Sequence, residues 1–234
     1  MPTIVFVSPK GGAGKTTAAL VLASQIARGA GVTVIDADPN HPIQAWAASE
    51  AAPSNLSVIS DADEENIIER IEEAASRTPF VVVDLEGTAA KIVLLAVSQA
   101  DLVIIPTQGS QLDAEQASRA LRVVKQQEKM SGRAVPYAVL LTRTNPLIRT
   151  RTMTHIQKGL ISAGVPVFET ELHEREAFRA IFSFRKPLEK LDASDVSNVD
   201  KAITNAEQFA AEVIETLRQT KGRAEQGAGE ARVA

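Results

Sequence analysis

The chain has 234 residues, with 44% apolar and 23% charged side chains and no cysteine. That length suits one large domain or two small ones, and the composition is that of a folded globular protein rather than a disordered chain. The absence of cysteine excludes disulfides, zinc–thiolate sites, iron–sulfur clusters and cysteine nucleophiles. No apolar run approaches the roughly eighteen residues of a spanning helix and no signal-peptide pattern precedes the first strand-like segment, so a soluble cytoplasmic protein is expected.

In chain order, short β-branched runs alternate with longer segments of helical spacing. Strands are predicted at 3–7, 32–35, 56–59, 80–83, 102–105, 137–141 and 165–168. Most are unbroken apolar runs, the pattern of strands buried on both faces of a parallel sheet. Helical spacing is clear at 113–129, where Ala117, Ala120, Leu121 and Val124 mark one face and Asp113 with Gln116 has the look of a capping pair. This rhythm predicts an α/β fold: a single doubly wound, mostly parallel sheet with helices on both faces. Ala206, Phe209, Ala210, Val213, Ile214 and Leu217 predict a packed C-terminal helix, so the domain is expected to span 1–220 and 221–234 to form a flexible tail.

The strongest motif follows the first strand: Ser8-Pro9-Lys10-Gly11-Gly12-Ala13-Gly14-Lys15-Thr16-Thr17, leading into a helical apolar face. Glycines let a backbone wrap close to phosphate oxygens, and a helix N-terminus adds partial positive charge. In such a loop Gly11, Gly12, Ala13, Gly14, Lys15, Thr16 and Thr17 cradle the phosphates. Lys15 reaches the terminal phosphates and Thr16 ligates Mg²⁺. The general phosphate-loop pattern has glycine where this chain has Pro9, and Lys10 is an additional lysine.

The run from Lys10 to Thr17 resembles the deviant Walker A box of the ParA/MinD family of ATPases. Val34-Ile35-Asp36-Ala37-Asp38-Pro39 is similar to that family's Asp-x-Asp-Pro box, and Val81-Val82-Val83-Asp84 sits where it keeps its Walker B aspartate. Weaker similarity continues through Ile105-Pro106-Thr107, Leu141-Thr142-Arg143 and Arg185-Lys186-Pro187. In size the chain resembles the small ParA-type partition ATPases and the VirC1 proteins of T-DNA transfer. One departure stands out: many ParA proteins follow the Walker B aspartate with Pro-Pro, whereas this chain has Asp84-Leu85-Glu86-Gly87.

The resemblance implies an ATPase that uses ATP and Mg²⁺. It assigns Lys10, Lys15 and Asp38 to catalysis, with Asp38 positioning the water and Lys10 reaching the partner's phosphates in an ATP-sandwich homodimer. It assigns Thr16, Asp36 and Asp84 to the metal. It further implies a nucleoid-associated protein with a ParB-like or other adaptor that stimulates hydrolysis.

The net charge of −4 is unevenly spread. Residues 143–190 carry nine basic and five acidic side chains, while the flanking segments are both acidic. Arg151 and Lys158 fall on one side of a predicted helix after Pro146, Arg175 and Arg179 on one side of a second at 174–182, and Arg185 and Lys186 follow. Such clusters grip phosphates without reading bases, and equally decorate solvated helices. With the resemblance, these six become candidates for non-specific contacts to double-stranded DNA.

Other features point elsewhere. His41, His155 and His173 lack metal-ligand spacing. The acidic run Asp61, Asp63, Glu64 and Glu65 reads as a solvated helix N-terminus, and Trp46 as packing. A MinD-like membrane switch needs a C-terminal amphipathic helix that the sequence does not offer, so no membrane partner is expected. The remaining alternatives are a VirC1-like ATPase of conjugative or T-DNA transfer and a metabolic P-loop enzyme without DNA binding.

Overall fold

The computed structural model describes residues 1–8, 11–86 and 90–230. Seven parallel strands form one sheet: β1 (Thr3–Phe6), β2 (Val32–Ala37), β3 (Leu56–Ile59), β4 (Phe80–Leu85), β5 (Leu102–Thr107), β6 (Tyr137–Thr144) and β7 (Leu172–His173). Their order across the sheet is β3-β2-β4-β1-β5-β6-β7. The helices are α1 (Lys15–Ala27), α2 (Pro42–Ala47), α3 (Ile67–Arg77), α4 (Ala90–Ser98), α5 (Gln111–Ser131), α6 (Arg151–Ser162), α7 (Glu176–Phe184) and α8 (Val199–Glu230).

Alternation along the strands divides the core into two layers. Ile4, Phe6, Val34, Val82, Ile104 and Leu140 face α1, α2, α7 and α8. Val5, Ile35, Val83, Val103, Ile105 and Leu141 face α3, α4, α5 and α6. Both sheet faces are therefore covered, which is why the strands read as continuous apolar runs rather than alternating ones. Helix α8 docks through Phe209 and Val213, both fully buried, with the Phe209 ring edge-on to Phe168 at 5.9 Å. Burial of a phenylalanine contributes about 2–3 kcal/mol, and Val199, Ala202, Ala206, Ala210 and Leu217 of the same helix are buried with it.

Five of the strands end one to three residues from where the sequence placed them, and three further differences concern the seventh strand and the helices α5 and α8. The run at 165–168 makes one parallel bridge, Val139 to Val167, and the seventh strand is the two-residue Leu172–His173. Pro166 has no N–H to give to a ladder, so pairing does not extend ahead of that bridge; it resumes at Leu172. Helix α5 starts at Gln111, which puts Asp113 inside the first turn rather than ahead of it. Helix α8 continues to Glu230, through most of the segment expected as a tail. Apolar spacing in the sequence ends at Leu217, well short of the helix end.

The acidic run serves as the entry to α3: Asp63 accepts from the backbone N–H groups of Glu65 (2.8 Å) and Asn66 (3.1 Å), and Asp61 pairs with Arg70. Trp46 is 1% exposed and packs in the core.

Strand β1 lies between β4 and β5, and the chain leaves it toward β2 on one side and returns later through β5 on the other. That reversal opens a crevice at the carboxyl ends of β1, β2 and β4, the place where open α/β sheets bind ligands.

Candidate functional site

The loop leaving β1 ends at this crevice. Gly12 and Gly14 take left-handed φ values of +82° and +87°, and Gly14 is the N-cap of α1. A side chain at either position would strain the backbone, which is the physical reason for glycine in both places. From Lys15 onward the chain is helical, and the α1 N-terminus faces the crevice with its partial positive charge. Lys10 lies outside the described residues, as does Gly87 of the variant Leu85-Glu86-Gly87 run.

The charged centre sits directly beneath. Lys15 Nζ is 2.7 Å from Asp84 Oδ1, with the two side chains 9% and 0% exposed. Asp84 pairs in register with Asp36 across β4 and β2. The Asp36 Oδ2 atom accepts from the N–H groups of Ile43 (2.8 Å) and Gln44 (2.9 Å) at the start of α2. The remaining oxygens, Asp36 Oδ1 and Asp84 Oδ2, are buried and have no hydrogen-bond partner among the described residues. Asp38 stands at the same strand end, half-buried, its Oδ1 accepting from the Asn40 N–H (2.9 Å) and Asn40 Nδ2 (3.0 Å).

Burial raises the Asp84 pKa, opposed by the Lys15 ammonium and the Thr16 hydroxyl. Burial likewise raises that of Asp36, aided by the Asp84 charge and opposed by the Gln44 and Ile43 amides. Both groups thus lose stability for the fold as pH climbs through their raised pKa values, because ionisation leaves charge in a dry site.

Two orphaned carboxylate oxygens beside a hydroxyl are the donor set of a hard divalent cation. Among the described residues, no group of three His, Cys, Asp or Glu is arranged to enclose a metal. A cation at this centre would therefore draw most of its shell from water and phosphate, the manner in which Mg²⁺ is held beside nucleotides. Thr16, Asp36 and Asp84 would hold it. Cation capture needs ionised carboxylates, so Mg²⁺-dependent nucleotide affinity is expected to rise with pH while the nucleotide-free fold weakens. Isothermal titrations across a pH series, paired with melting curves, would check the opposite signs; parallel trends would contradict the assignment.

Two side chains that the sequence did not assign to the site hold the loop from outside, although Thr142 lies in the Leu141-Thr142-Arg143 run of weaker similarity. Thr142 Oγ1 donates to the Ala13 carbonyl at 2.7 Å, and Gln108 Nε2 donates to the Gly12 carbonyl at 2.7 Å. A small recess of about 50 Å³ joins Gly14 and Thr17 to Arg143, His173 and Glu174. A wider cleft of about 1030 Å³ opens past Gln108 and Arg143 toward Asn145, Arg149 and Glu171. Arg143 itself is a non-glycine residue at φ +52°, a strained conformation of the kind concentrated at ligand sites.

The six basic candidates do not form one patch. Arg151 and Lys158 lie on the exposed side of α6, with Met153, Ile156 and Leu160 buried beneath. Helix α7 packs on the opposite sheet face, with Arg175 at its N-cap and Arg185 at its C-cap, followed by Lys186. Arg179 pairs with Glu174, which Arg143 also approaches at 3.8 Å. Arg175 instead meets Lys201 of α8 around a cleft of about 200 Å³ that includes Asn205 and Gln208. The Arg175 Nε is buried without a hydrogen-bond partner among the described residues. Lys201 had no signal in the sequence, because its neighbour lies 26 residues earlier. Of the histidines, His173 is half-buried against Thr144 at 2.7 Å, with its pKa lowered by burial and by the Arg175 charge.

A parallel sheet ordered β3-β2-β4-β1-β5-β6-β7, with a two-glycine loop and a buried lysine–aspartate pair at its switch point, is the fold of the ParA/MinD-type P-loop ATPases. Structural neighbours agree: a Cyanothece McdA variant with one aspartate replaced by alanine, in complex with ATP, superposes with a TM-score of 0.73 at 18% identity, covering 95% of this chain and 96% of that one. MinD from Pyrococcus horikoshii OT3, complexed with Mg-ADP, superposes at 0.69 with 16% identity over 91% and 95% of the two chains.

The chain belongs to the VirC1 protein family, whose pattern matches residues 1–219. It is 38% identical to protein ParA of Rhizobium radiobacter over 220 residues, 94% of this chain and 99% of that protein. It is 32% identical to protein VirC1 of Rhizobium rhizogenes, over 77% and 80% of the two.

Proposed function

We propose that the chain is a ParA-type ATPase that dimerises on ATP, binds double-stranded DNA without sequence preference, and partitions or positions a DNA or protein cargo. The observation that carries this reading is the buried Lys15–Asp84 pair beside the two partnerless oxygens of Asp36 and Asp84, under a loop bent by Gly12 and Gly14. Gly11 to Thr17 cradle the phosphates, and the recess beside Gly14 and Thr17 leads toward the nucleoside. Thr16, Asp36 and Asp84 would hold Mg²⁺, which would supply neutralisation of the charge that develops on the phosphates.

Lys15 exchanges its Asp84 partner for phosphate oxygens, a swap of one anion for another that keeps the ammonium paired. Asp38, held through one oxygen by Asn40, orients the attacking water. Lys10 completes the site of a second copy in the dimer. Support for this reading comes from the VirC1 family match and from ParA of Rhizobium radiobacter, and the fold this chain shares with the McdA–ATP complex is one that holds ATP there. A ParB-like or other adaptor ends the cycle by stimulating hydrolysis, in a cytoplasmic, nucleoid-associated setting. The family match to VirC1 favours a second reading of the cargo, a conjugative or T-DNA transfer complex, with the same nucleotide chemistry.

DNA contact is carried best by Arg175 with Lys201, which among the described residues make no ion pair, rather than by Arg179, which Glu174 engages. Arg175→Glu with Lys201→Glu is expected to weaken binding to every duplex alike, by roughly tenfold or more, and to lower the salt slope by about two. Fluorescence anisotropy against two unrelated duplexes at several salt concentrations would measure this. Unchanged affinity would move the contact to Arg151 and Lys158, or to Arg185 and Lys186.

A further inference from the structure

We propose that Thr142 and Gln108 are positioning residues for the phosphate loop, holding the Ala13 and Gly12 carbonyls outward so that the loop amides stay turned toward bound phosphate. The inference rests on the nucleotide reading above and adds to it the device that shapes the loop.

A loop that wraps an anion must keep its N–H groups inward and its carbonyls away, because each inward carbonyl repels phosphate. Glycines permit the required backbone angles but do not select them; their freedom equally allows the collapsed forms. Selection needs donors on the outer side of the loop. Thr142 supplies one from β6, 129 residues from its partner, and Gln108 supplies another from the segment after β5, 96 residues from its own. Neither belongs to β1 or α1, so the loop is gripped from two strand ends that it does not adjoin in sequence.

The surroundings fix both donors. Thr142 is 3% exposed and Ala13 is 3% exposed, so their hydrogen bond is sealed from water and has no solvent substitute. The Thr142 side chain also lies at van der Waals distance, 3.5–3.6 Å, from where a Cβ on Gly14 would be. The Gln108 segment is pressed against α6: a Cβ on Gly109 would stand 2.3 Å from the Met153 terminal methyl. That close approach restricts where the Gln108 backbone can go and so where its amide reaches.

Removal of the Thr142 hydroxyl strands a buried carbonyl, which then gains by turning toward the crevice. Thr142→Val is expected to weaken Mg-ADP and Mg-ATP binding roughly tenfold, with Thr142→Ser restoring near wild-type affinity. Gln108→Ala is expected to weaken binding by roughly threefold to tenfold, and Gln108→Glu, which cannot donate, at least as much. The effect should fall on KM, with kcat at saturating ATP changed less than threefold.

The test is calorimetric titration of the full-length chain with Mg-ADP and Mg-ATP for these four variants and Lys15→Ala, with nucleotide-free melting temperatures alongside. Weakened binding by Thr142→Val and Gln108→Ala, rescued in Thr142→Ser, supports the proposal. Lower melting temperature with wild-type affinity marks a structural role and overturns it, as does a Thr142→Ser variant as weak as Thr142→Val. If Thr142→Val does not fold, Gln108→Ala against Gln108→Glu decides. Wild-type protein that binds no nucleotide, or Lys15→Ala that binds as wild type, overturns the nucleotide reading itself, a result distinct from failure of the two positioning residues.

Discussion

Lys15→Ala is expected to abolish nucleotide binding, with affinity falling at least a hundredfold, the factor that about 3 kcal/mol of lost charge-assisted contact corresponds to. The same substitution strips Asp84 of its counter-charge in a site from which water is excluded. Breaking a buried pair from one side costs roughly 3–5 kcal/mol of stability, unless the abandoned carboxyl takes up a proton. The Asp84 pKa is already raised by burial, and loss of the ammonium removes its principal opposing influence. The variant should therefore be most destabilised at alkaline pH and recover as pH falls. Lys15→Ala combined with Asp84→Asn should regain stability without regaining nucleotide. Melting curves across pH together with calorimetry separate the two effects. A stable double variant that binds ATP would show that the lysine is a structural counter-ion only.

Asp38→Ala is expected to do the reverse: nucleotide binding survives and turnover drops by roughly a hundredfold to ten-thousandfold, the range of a lost positioning or basic group. Among the described residues, the half-buried Asp38 side chain is held by Asn40 and makes no ion pair, so its removal leaves no buried charge unmatched there. The fold should be little affected. With hydrolysis blocked, the protein should accumulate as an ATP-bound dimer, visible by light scattering at saturating ATP. Wild-type turnover in this variant would remove Asp38 from the mechanism and return the water to another group.

Much of this was legible in the sequence because the relevant signals are local. Six of the seven strands are apolar runs long enough to announce themselves, and β2 and β4 carry Asp36 and Asp84 at their ends in plain view. The two-residue β7 was not legible: Leu172–His173 has no run to detect, and it pairs with β6 five residues beyond the single bridge at Val167. Contacts across the sheet were equally hidden. The Thr142 and Gln108 grips close loops of about a hundred residues, and the meeting of Arg175 with Lys201 depends on how α7 and α8 pack. The basic sector looked continuous along the chain, yet the sheet separates Arg151 and Lys158 on α6 from Arg175 and Arg185 on α7. Arg179, equal to Arg175 by helical spacing, is distinguished from it only by Glu174 alongside.

The most direct measurement is binding of the purified chain to a non-specific DNA duplex, with ADP and with ATP plus Mg²⁺, at two salt concentrations. Binding that appears with ATP, weakens with salt and is absent with ADP is the expected result. Equal binding under both nucleotides, or none under either while ATP is hydrolysed, would contradict a nucleotide-controlled hold on DNA.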